Sequence, residues 1–219
     1  MDDFSTSGVT RSGARTRSAT ATLLGQVMFL VSVALAFMTA GAYIGQDLSQ
    51  GTATICFFAG FGMLLVQAFA GERFRVGTLA IVWLYSIALL IGLGIGPTIG
   101  YFLENDGSVI TQSAGCTALI VLGMGAAGFA LSKDLSSWMR PLSFIILGCV
   151  VVSFGMLIFS SGGNPILSAI IAIVSALLIM VDFNYLRKHG TDKDAVWLAT
   201  GIFVSIVNIF LSLLNLFGD

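Results

Sequence analysis

The chain has 219 residues, 57% of them hydrophobic and 10% charged against roughly 25% in a soluble domain, with a mean hydropathy of +0.98. A water-soluble fold is excluded, and a formal net charge of −1 leaves no basic excess to hold a nucleic acid backbone. The three cysteines, Cys56, Cys116 and Cys149, lie inside apolar runs without CxxC spacing, which points to packing and away from a disulfide framework or a thiolate metal site.

Residues 1–20, rich in Ser, Thr, Gly and Arg, carry too little apolar surface to offset ordering entropy and read as a disordered tail. Residues 21–219 read as one transmembrane domain. Six uncharged runs follow, of which the shortest is 24 residues, and each meets the ~20 apolar residues that a spanning helix needs. The 41-residue run from Pro141 to Val181 must hold two helices, because Ser160-Ser161-Gly162-Gly163-Asn164-Pro165 interrupts it with turn formers and a proline suited to a first helical turn. Seven spans result: Thr22 to Gly45, Gln50 to Ala70, Val76 to Leu103, Ser108 to Leu131, Pro141 to Phe159, Pro165 to Leu186 and Ala195 to Phe217. Thr39-Ala40-Gly41-Ala42 imitates a signal-peptide cleavage site, but its apolar run is too long and six spans follow it.

Orientation comes from the loops. Arg11, Arg15 and Arg17 lie in the tail, Arg73 and Arg75 after span two, Lys133 and Arg140 after span four, and Arg187, Lys188 and Lys193 after span six. All ten cations fall on one side, which predicts a cytoplasmic amino terminus and a periplasmic or extracellular carboxyl terminus.

Gly123-Met124-Gly125-Ala126-Ala127-Gly128 fits GxGxxG, but it lies inside span four rather than between a strand and a helix, so it reads as close helix packing. Gly92, Gly96 and Gly100 in span three read the same way, with Pro97 expected to kink that helix. Catalysis lacks an inventory: the single histidine, His189, is in a loop, and no metal-binding or nucleophilic constellation can be assembled, so the chain reads as neither an enzyme nor a cofactor protein. All three lysines are in loops, which excludes a retinal Schiff base.

Asp182 is the one charge that geometry draws into the membrane. Span six must continue past it to cross, which places the carboxylate about 6 to 10 Å inside the cytoplasmic boundary, facing the negative end of its own helix dipole. An intramembrane acid marks an ion or proton route by default. The alternative is a snorkelling acid paired with Arg187, Lys188, Arg73 or Arg75. In span seven, Ser205, Asn208, Ser212 and Asn215 share one helical face, a polar stripe that should not meet lipid. It serves either interhelical hydrogen bonds or a hydrated path.

Gly107-Ser-Val-Ile-Thr-Gln-Ser-Ala-Gly-Cys-Thr-Ala-Leu-Ile-Val-Leu, Leu131-Ser-Lys-Asp-Leu-Ser and the ending Ser205-Ile-Val-Asn-Ile-Phe-Leu-Ser-Leu-Leu-Asn-Leu-Phe-Gly218 resemble the Bax inhibitor-1 family, and the similarity runs from about Leu23 to Gly218. The resemblance implies an all-α bundle in which six helices surround a central seventh. It also implies, for bacterial members, a pair of aspartates that sense pH and gate a calcium leak. Asp182 in Val181-Asp182-Phe183-Asn184 matches the first of the pair. Where the family ending typically reads Asp-Phe-Ile-Asn-Leu-Phe, this chain has Ser205-Ile-Val-Asn208-Ile-Phe: Asn208 is kept and the second carboxylate is replaced by a hydroxyl. A serine can hydrogen-bond to Asp182 but cannot split its titration. Calcium takes six to eight oxygens, which Asp182, Ser205, Asn208 and carbonyls supply only with water, so a weak leak is the expected use. The reading is therefore an inner-membrane protein passing calcium or another cation, with protonation of Asp182 influencing a cytoplasmic-side gate. Its rival is a non-transporting protein that regulates a membrane-bound AAA protease or other membrane proteins, as the resemblance also implies for some bacterial relatives.

Overall fold

The computed structural model describes residues 6–69, 71, 74–159 and 164–218. Seven helices cover almost all of them: α1 (Thr6–Ile44), α2 (Gln50–Phe69), α3 (Thr78–Asn105), α4 (Gly107–Ala130), α5 (Ser136–Phe159), α6 (Pro165–His189) and α7 (Ala195–Gly218). Each is long and apolar enough to cross a bilayer. α1 runs from Thr6, and its membrane-crossing part begins at Thr20.

Polar side chains set the helix ends. Asp106 accepts from the backbone N–H and hydroxyl of Ser108 at the start of α4, which holds its carboxyl below the usual range. Asn164 accepts from the N–H groups of Ile166 and Leu167, with Pro165 filling the first position of α6. The turn before it, residues 160–163, lies outside the described residues, as does Arg73. α5 corrects the sequence reading. It begins at Ser136 rather than Pro141, because Asp134 accepts from the Ser136 N–H and starts the helix one turn early, leaving Pro141 inside it.

The helices form two groups of three. α3 packs between α1 and α2, and α6 packs between α4 and α5. In each group the third helix is the hub, although the two halves show no convincing self-similarity in sequence. α7 joins them: α1, α4 and α6 pack on it, and α3 more lightly. It is the most enclosed span, with Ile202, Phe203 and Ile209 fully buried. α2 and α5 stand on either side of its remaining face, so the central position inferred for span seven holds with one side bordered by a groove.

Small residues permit the closest approaches. A β-carbon added at Gly96 of α3 would lie 2.6 Å from the carbonyl oxygen of Gly45, just past the end of α1, and one at Gly41 would lie 2.5 Å from that of Leu89. In the GxGxxG stretch, a β-carbon at Gly128 would overlap the Met180 carbonyl, and Gly125 lies under the Phe183 ring, whereas Gly123 faces open space. Gly128→Val is therefore expected to force α4 from α6 at a cost of about 1–3 kcal/mol. It should lower the melting temperature of the detergent-solubilised protein by several degrees, while Gly123→Val leaves it unchanged.

Candidate functional site

The last two turns of α6 hold two polar side chains with opposite fates. Asn184 is fully buried and fully used. Its Oδ1 accepts from the Leu135 N–H at 2.9 Å, and its Nδ2 donates to the carbonyls of Gly128, Leu131 and Lys133 at 3.1, 3.3 and 3.1 Å. One amide thus closes the end of α4 and the start of α5. Three further α6 residues fasten the same loop. Arg187 donates to the Leu131 carbonyl and lies over the Phe129 ring, Lys188 donates to the Ser132 carbonyl, and His189 Nε2 meets Asp134 Oδ2 at 2.6 Å. Asp134 is held well below the ordinary carboxylate range, first by the Ser136 backbone N–H and then by His189.

Asp182, two residues earlier, is 6% exposed, and among the described residues it receives no hydrogen bond or ion pair. Its carboxylate lies against Gly201 of α7, where an added β-carbon would sit 3.2 Å from Oδ2. The expected cationic partners are elsewhere. Arg187 serves the end of α4, and Arg75 donates to the Ala68 carbonyl at the end of α2. Helix carboxyl ends offer unpaired carbonyls and negative potential, and both guanidinium groups take them in preference to the acid.

Asp182 faces a groove of about 630 Å³ between α2 and α5, floored by α7. Ser205, Asn208 and Ser212 line it, so the polar stripe opens onto this space. Asn215, at the far end of the stripe, instead accepts from Ser168 Oγ at 2.9 Å and ties α7 to the start of α6. Ser205 is buried one turn beyond Gly201, about 6 Å along the axis, and makes no hydrogen bond to Asp182. Gln67 of α2 reaches across to donate to Thr200 Oγ1 at 3.1 Å, and Thr200 donates back to the Val196 carbonyl. Gln67, Thr200, Gly201 and Asn184 were missed from sequence. The available signal was an amide near the end of span two and a small residue one turn before Ser205.

A helical membrane protein of seven spans, with an enclosed last helix whose polar face meets a buried acid from the sixth, is the class that fold and site define. The chain belongs to the Bax inhibitor-1 family: the family model described as "Inhibitor of apoptosis-promoting Bax1" matches residues 20–219. It is 29% identical over 196 residues to an uncharacterized protein of Pseudomonas aeruginosa, covering 86% of this chain and 85% of that one. It is 27% identical to an uncharacterized membrane protein of Vibrio cholerae, covering 87% and 84%. It is also 26% identical to the modulator of FtsH protease YccA of Escherichia coli, covering 90% and 89%.

Asn184→Ala should leave the Leu135 N–H and three carbonyls short of a partner and cost about 2–4 kcal/mol. Faster proteolysis between residues 131 and 135 and a lower melting temperature check this. Asp134, with a depressed carboxyl, contributes its tie above the unfolded carboxylate range and loses it only as pH falls through the lower folded value. Loop protection is therefore expected to persist at mildly acidic pH and to fail in strong acid.

Proposed function

We infer that the protein passes a cation, calcium in the first instance, across a bacterial inner membrane along the polar face of α7, with Asp182 as the anionic contact near the cytoplasmic end. The observation that carries this reading is a buried carboxylate without a partner, facing a groove into which Ser205 and Asn208 also open. It is the one acid among the groove-lining residues. Desolvating a carboxylate is costly unless something compensates, and a transient cation does so without a permanent counter-charge. Hydroxyl and amide oxygens one to two turns on, completed by water, make a shallow series of contacts suited to transit rather than storage. The chemistry is binding and release, and the inhibitor and modulator descriptions of the family and of the Escherichia coli relative likewise point to a non-enzymatic role.

A second reading is that the chain modulates a membrane-bound AAA protease. It rests on the 26% identical relative named for modulation of FtsH. The two readings separate in liposomes.

Protonation of Asp182 removes the groove's negative charge, so calcium flux should fall on acidification. Asp182→Asn should reduce flux roughly tenfold and flatten the pH profile. Ser205→Asp, one turn deeper, should restore a pH response in that background. Flux equal to that of protein-free vesicles overturns the leak. Altered substrate turnover by a co-reconstituted AAA protease would then support the modulator reading.

A further inference from the structure

The groove along α7 reaches one end of the helices and not the other. Among the described residues its lining extends to Phe69, the last residue of α2, and to Trp197, the third of α7. In the opposite direction it stops at Phe57, seven residues from the start of α2, and at Ser212, six residues before the end of α7. About 10 Å of helix therefore separates the groove from the membrane face on which α7 finishes. A cation that follows the polar stripe has to cross that segment.

The stripe itself continues into it. Asn215 follows Ser212 by one turn on the same face of α7, and its Oδ1 accepts from Ser168 Oγ at 2.9 Å. Ser168 is the lining residue of α6 nearest that end of the groove, so the bond stands where the open space stops. Fourteen residues separate Ser168 from Asp182 on α6, and fourteen separate Gly201 from Asn215 on α7. With Asp182 against Gly201 at one end and Ser168 bonded to Asn215 at the other, the two helices hold one antiparallel register over about 21 Å. Parting the bond thus asks for a change of side-chain rotamer on a fixed frame and no slide of α6 past α7. A neutral hydroxyl–amide bond is also weaker than one to a charged group, so it breaks and re-forms readily.

We propose that the Ser168–Asn215 hydrogen bond is the gate at the α7 carboxyl end of the cation route. When it is closed, the hydroxyl occupies the amide oxygen. When it is open, the hydroxyl rotates away and Asn215 Oδ1 becomes the next contact after Ser212 for an ion that keeps part of its water. The proposal rests on the cation reading for what passes and on the extent of the groove for where it is stopped. Its signature is that the two partners of one bond act in opposite directions, because Ser168 holds the oxygen back and Asn215 supplies it. A tie that only fastens α7 to α6 gives both partners the same sign.

The test is calcium flux through the full chain reconstituted in liposomes. Ser168→Ala should raise the flux about three- to tenfold by freeing Asn215 Oδ1. Asn215→Leu should lower it by about as much, since hydrocarbon then stands in place of the oxygen, with Asn215→Met as the second variant should the first not fold. Changes of the same sign in the two variants, or no change in either, would overturn the gate. Thiol labelling keeps the gate separate from the cation reading. With Cys56, Cys116 and Cys149 replaced by alanine, Ser212→Cys should react slowly with membrane-impermeant trimethylammonium-ethyl methanethiosulfonate applied to the face on which α7 ends, and about tenfold faster once Ser168→Ala is added. Faster labelling with calcium flux no greater than that of protein-free vesicles would uphold the gate and overturn calcium as what passes. Labelling unchanged by Ser168→Ala would overturn the gate whatever the flux.

Discussion

The hydrocarbon core of a bilayer offers no water, so a polar group within it is costly unless it finds a partner in the protein or faces a space that something polar can enter. That constraint sorts the polar residues of α6 and α7. Asn184, Asn215 and Thr200 are bonded, and each bond joins two helices or a helix to a loop. Asp182, the Gln67 amide oxygen and the Ser175 hydroxyl are left over, and of these residues Asp182 and Gln67 line the groove. Gly201 makes the exception tolerable, since a side chain there would press on the carboxylate and close the space it occupies.

The architecture has the same logic at larger scale. Within each group of three, the third helix takes the contacts of the other two, so α3 and α6 are buried on two sides while α2 and α5 are buried on one. α5 is the extreme case: Leu142 is its one buried core residue among those described, meeting Val174, Leu178 and Val181 of α6. Because α1 and α4 occupy one flank of α7, its remaining face is left to the two least-buried helices, and the groove is their separation.

The seven spans and the enclosure of the last were legible in uncharged run lengths and in the Ser205-Asn208-Ser212-Asn215 periodicity, because a bilayer converts composition directly into architecture. The burial of Asp182 followed from counting residues after Pro165. Its surroundings did not follow. Arg75 and Arg187 looked like counter-ions because opposite charges attract, yet the carbonyls at the ends of α2 and α4 compete for the same groups, and only three-dimensional placement decides between them. Gly201 was hidden for a related reason: a residue without a side chain leaves no polar signature, and its role lies in what it allows its neighbour to do. The α5 boundary was misplaced because the proline drew attention from Asp134, whose carboxylate starts the helix earlier.

The fastening of the α4–α5 loop has a temporal side. Its partners on α6, Asn184 through His189, lie 49 to 56 residues later in the chain. At about 5–20 residues per second, ribosomal synthesis leaves that loop without its anchors for roughly 3–10 s after it emerges. α5, with the poorest burial of the seven, must therefore enter the bilayer before anything secures its leading end, and the completion of α6 acts as a latch that commits it.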